Sequence, residues 1–394
     1  MKVRTIIHGG TLITPHEMLP NHDLVIEDGL IGSIYPTEQS RAALGEVQHI
    51  DATGLWVIPG LIDVHVHGSA GSDTMDATPA AIQTMAEFFA RHGVTSYLPT
   101  TITAPSPAIG AAIHNIINMA QPRAGAQHLG VHLEGPYIGN QFRGAQPLEW
   151  LRSPDQQEYG KWFETGSIRL VALAPELPGA IEMIEHGVCQ GIRFSVGHSS
   201  ASYEQVEQAA DHGLSQATHT FNGMTGLHHR EPGAAGAVLT DERIYAEIIA
   251  DGIHLHPAVV KLVVRAKGIG RTILVTDAIR AAGLKDGEYD LGGQIVHVQG
   301  GIARTSRGSL AGSTLALDAA LRNVMRFAGL TIQDALKMAT TTPAQALGLS
   351  SRKGIIQPGA DAELALVDPN FNVRATIING ALVYDARASR QDQN

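Results

Sequence analysis

Residues 60–67 read GLIDVHVH, a short apolar run broken by Asp63 and ending on two histidines one residue apart. Runs of this length, rich in Val, Ile and Leu, read as strands covered on both faces, as in a parallel sheet. Working outward, seven more follow: VTSYLPTT (94–101), LGVHLEGP (129–136), RLVALAPE (169–176), GIRFSVGHS (191–199), LSQATHTFN (214–222), AEIIADGIH (246–254) and TILVTDAI (272–279). Longer amphipathic stretches separate them, such as TPAAIQTMAEFFARHG (78–93) and SYEQVEQAADHG (202–213). The second has Ser202, or the serine before it, as its cap and Gly213 as its stop. Eight strand–helix units over roughly 250 residues match a (β/α)8 TIM barrel. The competing α/β arrangement is an open doubly wound sheet.

The polar residues decide between them. His65 and His67 end the first run, Glu134 the third, His198 the fifth, His219 the sixth, His254 the seventh and Asp277 the eighth. A barrel carries its active site on the C-terminal rim of its strands, so these residues would converge on one mouth. The reading assigns 58–352 to the barrel.

The flanks read differently. RTIIHGGTLIT (4–14), DLVIEDGLIGSIYP (23–36) and HIDATGLWVIPG (49–60) are short strands and tight turns, as are PGADAELALVD (358–368) and VRATIINGALVY (373–384). Asp28-Gly29 and Asn379-Gly380 are hairpin turns. Neither end can bury a core alone. They are expected to join as one small discontinuous β-sandwich, 1–57 with 353–394.

Composition narrows the function. Of 394 residues 44% are apolar, which excludes a disordered chain. The net charge of −10 disfavours nucleic acid and anionic membrane as partners. No apolar run approaches the roughly 20 residues of a membrane helix. The single cysteine, Cys189, allows no intrachain disulfide and fits a reducing, cytoplasmic setting.

His65 and His67 share one strand face and can offer two nitrogens to one divalent metal. Glu134, beside Gly135-Pro136, has two oxygens and can bridge two cations. With His198 and His219 it makes a nitrogen-and-oxygen set that suits Zn2+ or Fe2+ better than Mg2+. His132 shares the face of Glu134 and reads as a supporting residue. Asp277 is placed to take a proton from a metal-bound water and pass one to a leaving group. A basic cluster, His228, His229 and Arg230, with Asn222, His254 and His256, reads as a local anion site in an acidic protein. The stretch GSLAGSTL (308–315) is a Gly/Ser loop before a helix.

The strings PGLIDVHVHG, HLEGPY, VGHS, THTFNGM, HHREPG, LVTDAI and LAGSTL resemble the amidohydrolase superfamily. More narrowly they resemble the N-acetylglucosamine-6-phosphate deacetylases and their N-acetylgalactosamine-6-phosphate branch. The resemblance covers nearly the whole chain. It implies release of acetate from an N-acetylated hexosamine 6-phosphate, with metal-bound hydroxide as nucleophile and Asp277 as base and acid. It implies Glu134, His198 and His219 as principal ligands, and His65 and His67 as the pair holding a second ion, so one or two ions per subunit. It implies substrate contacts at Ala145, Gln146, Asn222, Gly223, Arg230, His254, Leu310, Ala311 and Gly312. The arginine matching Arg230 reaches the phosphate from a neighbouring subunit, which implies a homodimer. Gln146 stands where the family usually has histidine, and Gly223 where it usually has alanine. Gln146 is expected to donate to the oxyanion. The competing functions are an amidohydrolase acting on a cyclic amide or an aminated ring, and a non-catalytic sugar-phosphate-binding protein.

Overall fold

The computed structural model describes residues 4–39 and 47–386. Eight strands form its centre: β1 (Leu61–Val66), β2 (Val94–Pro99), β3 (Val131–Glu134), β4 (Ile168–Leu173), β5 (Arg193–Val196), β6 (Leu214–Ala217), β7 (Tyr245–Ile249) and β8 (Thr272–Val275). They are the eight apolar runs, in order. β1 pairs with β2, and β3 to β8 pair successively, all parallel. Two seams close the ring. The Thr101 amide donates to His132 O at 2.9 Å, joining β2 to β3, and the Asp277 amide donates to His65 O at 2.9 Å, joining β8 to β1.

Each strand is apolar on both faces because each face is covered. Val171, Leu173, Phe194 and Val196 pack in the same cluster as helix residues Ile82, Met85, Ile113 and Met183. Ile62, Val64, Leu98, Leu170, Tyr245, Ile249, Ile273 and Val275 make a separate cluster that fills the barrel and its floor. The helices start where capping chemistry places them. Thr78 caps Pro79–Arg91, with proline in the first turn, and Ser202 forms a reciprocal capping box with Gln205 on Tyr203–Asp211.

The chain ends meet in a second core. One sheet runs Leu30–Pro36, His22–Glu27, Arg4–His8, Val47–Asp51. The other runs Ala381–Asp385, Val373–Ile378, Leu364–Val367, Trp56–Pro59, Thr11–Ile13, Met18–Pro20, so strands from both ends share it. Ile7, Leu12, Leu24, Val57, Leu364, Leu366 and Ile377 fill the space between the sheets. Both expected hairpin turns form, with positive φ at Asp28, Gly29, Asn379 and Gly380. Residues 1–3, 40–46 and 387–394 of the expected small unit lie outside the described residues.

A feature absent from the sequence expectations follows β8. Gly287–Leu291, Gln294–Gln299 and Ile302–Thr305 form a three-stranded antiparallel sheet. Its Leu291, Val296 and Val298 pack on Ile102, Ile279 and Ala311. That packing makes it one wall of the barrel mouth. No helix of the described residues is long and apolar enough to cross a membrane.

Candidate active site

The rim residues converge. Glu134, the last residue of β3, sits at the centre with its carboxylate buried. Its Oε1 lies 3.2 Å from His198 Nε2, 3.2 Å from His219 Nε2 and 3.6 Å from His65 Nε2. Its Oε2 lies 3.1 Å from His67 Nε2. Asp277 Oδ1 is 3.4 Å from His65 Nε2 and 3.3 Å from His67 Nε2.

Three of these residues lie two positions past a strand end and adopt the left-handed backbone region: His198 (φ 49°), His219 (φ 32°) and Asp277 (φ 48°). Each such residue costs about 1–3 kcal/mol, and persists only where the surroundings hold it. Here the Gly139 amide donates to His198 O (2.7 Å), the Asn222 amide to His219 O (2.9 Å) and the Ser313 amide to Asp277 O (2.7 Å). The sharp turn aims each side chain across the mouth rather than along its strand.

The geometry fits a divalent cation on grounds internal to the site. His198 Nδ1 faces Phe142 O at 2.8 Å and His219 Nδ1 faces Asn222 O at 3.1 Å. A carbonyl oxygen only accepts, so each Nδ1 carries a proton, and Nε2 is the one nitrogen of each ring left to face a cation. Those two Nε2 atoms stand 3.1 Å apart, both against Glu134 Oε1. Two ring nitrogens and an anionic oxygen at that spacing call for positive charge among them, which a divalent cation supplies in place of a proton. His198, His219 and Glu134 form one such group, and His65, His67 and Glu134 a second. Oxygen and imidazole donors so grouped suit a divalent cation.

The charges reinforce one another. Burial would push His67 down, yet the Asp277 and Glu134 carboxylates hold it up at about 9. Burial would raise Asp277, yet His65 and His67 hold it at about 2. Glu134 is held well below the usual carboxylate range by His65, His198 and His219 against the same burial penalty. His132, buried between these imidazoles, is pushed well below the ordinary histidine value by desolvation and by its charged neighbour His65. It touches the site as a ring packed edge-on to His65, with centroids 4.7 Å apart.

A cavity of about 220 Å³ opens over this cluster, lined by Ala145, Gln146, Asn222, Gly223, His254, Leu310 and Gly312 among others. His254 is held by Asp251, whose Oδ2 is 2.7 Å from its Nδ1. Two expected contacts lie elsewhere. Ala311 is fully buried behind the lining, and Arg230 is exposed on a neighbouring depression, its Nη1 donating to His229 Nε2 at 2.7 Å rather than turning inward.

Gln146 differs most from expectation. Its Nε2 donates to Glu134 Oε2 at 2.8 Å, and its Oε1 accepts from the Thr103 amide at 2.8 Å. The amide is engaged inside the protein at both ends, so it braces the central carboxylate. Gly223 also has a physical reason. At φ 58° a Cβ there would lie 2.8 Å from His198 Nδ1, against the ring bonded to Phe142 O.

Sequence reasoning passed over Glu247, a carboxylate in the middle of β7 whose Oε2 is 3.3 Å from His65 Nδ1. A charge inside the apolar run AEII was the available signal. It also passed over the Leu291 wall.

A model described as the amidohydrolase family matches residues 56–383. The chain belongs to the amidohydrolase family. That family depends on divalent cations, which agrees with the donor set above. The chain is 43% identical over 380 residues to the N-acetylgalactosamine-6-phosphate deacetylase of Escherichia coli O157:H7, covering 96% of this chain and 98% of that one. It is 40% identical over 375 residues to the N-acetylglucosamine-6-phosphate deacetylase of Vibrio furnissii, covering 94% and 92%. The structure of a mutant N-acetyl-D-glucosamine-6-phosphate deacetylase from Mycobacterium smegmatis, in complex with N-acetyl-D-glucosamine-6-phosphate, superposes with a TM-score of 0.89 at 30% identity, covering 97% of this chain and 99% of that one.

Proposed function

We propose that the chain hydrolyses the acetamide of N-acetylglucosamine 6-phosphate or N-acetylgalactosamine 6-phosphate, releasing acetate and the amino sugar 6-phosphate. The observation that carries this is the Glu134-centred cluster with Asp277 at its edge, in one cavity of a chain whose full-length relatives are such deacetylases.

Glu134, His198 and His219 would hold the principal cation, and His65 and His67 with Glu134 would hold a second. Zn2+ suits the set best and Fe2+ next. A bound cation supplies an activated water and polarises the acetyl carbonyl. Asp277 is ionised in this environment and takes the proton as the water oxygen bonds to the carbonyl carbon. When the carbon–nitrogen bond breaks, Asp277 returns that proton to the departing amine. Gln146 keeps Glu134 in register, and His254 and Asn222 line the path to the phosphate. Arg230 lies outside its own cavity and reaches the phosphate bound to a second copy, so the working unit is a homodimer. The split unit of 1–57 and 353–394 carries the barrel without entering the chemistry. A sugar phosphate is retained by its charge, which places the reaction in the cytoplasm.

Acetate release from the two sugar phosphates, assayed side by side with metal content on the same sample, tests this reading. Release from at least one, abolished by a chelator and restored by Zn2+, is expected. No release from either sinks it, and release from hydantoins instead selects the cyclic-amide reading.

A further inference from the structure

Glu247 is fully buried on β7. Its neighbours two along, Tyr245 and Ile249, belong to the cluster filling the barrel, so Glu247 projects into that interior, beneath the mouth. Among the described residues its side chain has one polar partner, His65 Nδ1 at 3.3 Å, and Oε1 meets no donor. No lysine or arginine pairs with it there. A buried carboxylate with so little compensation is costly. It imposes one orientation: Glu247 takes up Nδ1, which leaves Nε2, 3.6 Å from Glu134 Oε1 and 3.4 Å from Asp277 Oδ1, as the ring nitrogen open to a cation.

The contrast with the other side of the site is chemical. His198 and His219 are oriented by neutral carbonyls, His65 by an anion. A carboxylate behind an imidazole fixes its tautomer and raises its basicity as a ligand. We propose that Glu247 is the positioning residue that makes His65 a ligand, and so commits the His65–His67 side of the site to a second cation. This rests on the reading of the site as a divalent-metal centre.

The test is Co2+ titration of the metal-depleted full-length protein, followed by visible absorption and by metal analysis after desalting. The wild type is expected to bind in two events. In Glu247→Gln, which keeps the side-chain shape and removes the charge, the weaker event should lose about 10–100-fold in affinity while the tighter one holds. Glu247→Asp should recover part of the loss. Circular dichroism of the depleted proteins controls for folding. Two unchanged events in Glu247→Gln overturn the proposal. So does equal loss of both events, or a variant that does not fold, because each assigns Glu247 a general structural role. A wild type with a single event overturns it too, while leaving the deacetylase reading standing. A wild type that binds no cation, or releases no acetate, fails the functional reading instead.

Discussion

The two sides of the site share Glu134 and differ in almost everything else. His65 and His67 belong to the body or immediate end of β1, within the packed barrel, and the first is braced by a buried carboxylate. His198 and His219 stand on strained turns beyond β5 and β6, braced by loop carbonyls. One side is built by strand register, the other by local backbone conformation. Damage should therefore spread differently: a change in a loop moves His198 or His219 alone, whereas a change in the barrel interior moves His65 through Glu247.

The largest expected effect separates chemistry from metal holding. Asp277→Asn should lower kcat by about 10²–10⁴-fold, the range of a lost acid–base group. Cation bound by His198, His219 and Glu134 should remain, as read by metal analysis. Near-normal turnover would remove Asp277 from its role, and loss of all metal would mean the two sides do not hold cations independently.

A middling effect concerns pH. In the metal-free protein His67 is held up at about 9 by Asp277 and Glu134, so it is protonated at neutrality. Cation uptake must release that proton, so the free state binds more protons than the loaded one, and affinity rises with pH. The His65–His67 side should gain roughly tenfold in affinity per pH unit up to about 9 for that proton alone, and His65, held up by the same Asp277 and Glu134 carboxylates, adds to the slope. Calorimetry in buffers of different ionisation enthalpy should count the released proton. Uptake on that side independent of pH would break the comparison.

The smallest effect sharpens the loop side. Gly223→Ala places a Cβ 2.8 Å from His198 Nδ1 and asks for a side chain at φ 58°. The cost should be about 1–3 kcal/mol. It should appear as weaker cation binding by His198 and His219, with the His65–His67 side unmoved. Equal weakening of both events in the Co2+ titration would deny the separation.

Much of this was legible in the sequence. Continuous apolar runs ending in His, Glu or Asp identify the strands and their polar rim, because coverage on both faces leaves no alternation to confuse the reading. Asp28-Gly29 and Asn379-Gly380 form the turns their backbone freedom favours. What stayed hidden depends on partners distant in sequence. Nothing in AEII says that its glutamate meets a histidine 182 residues earlier. The Gln146 amide is chemically able to face a substrate, and only the fold turns it between Thr103 and Glu134. QIVHVQ alternates as a strand should, but its place at the mouth is set by Ile279 and by Ile102, the latter nearly two hundred residues earlier in the chain. Arg230 carries the right charge, yet the loop beneath it points outward.

The pairing of Trp56–Pro59 with Leu364–Val367 has a consequence for biogenesis. The earlier strand leaves the ribosome roughly 300 residues ahead of its neighbour, on the order of 15–60 s at ordinary elongation rates. Throughout that interval an apolar ribbon with unpaired amides waits at the foot of a growing barrel, a template for wrong partners. A nascent chain stalled before Leu364 would thus be more hazardous to its host than either the finished protein or a much shorter fragment.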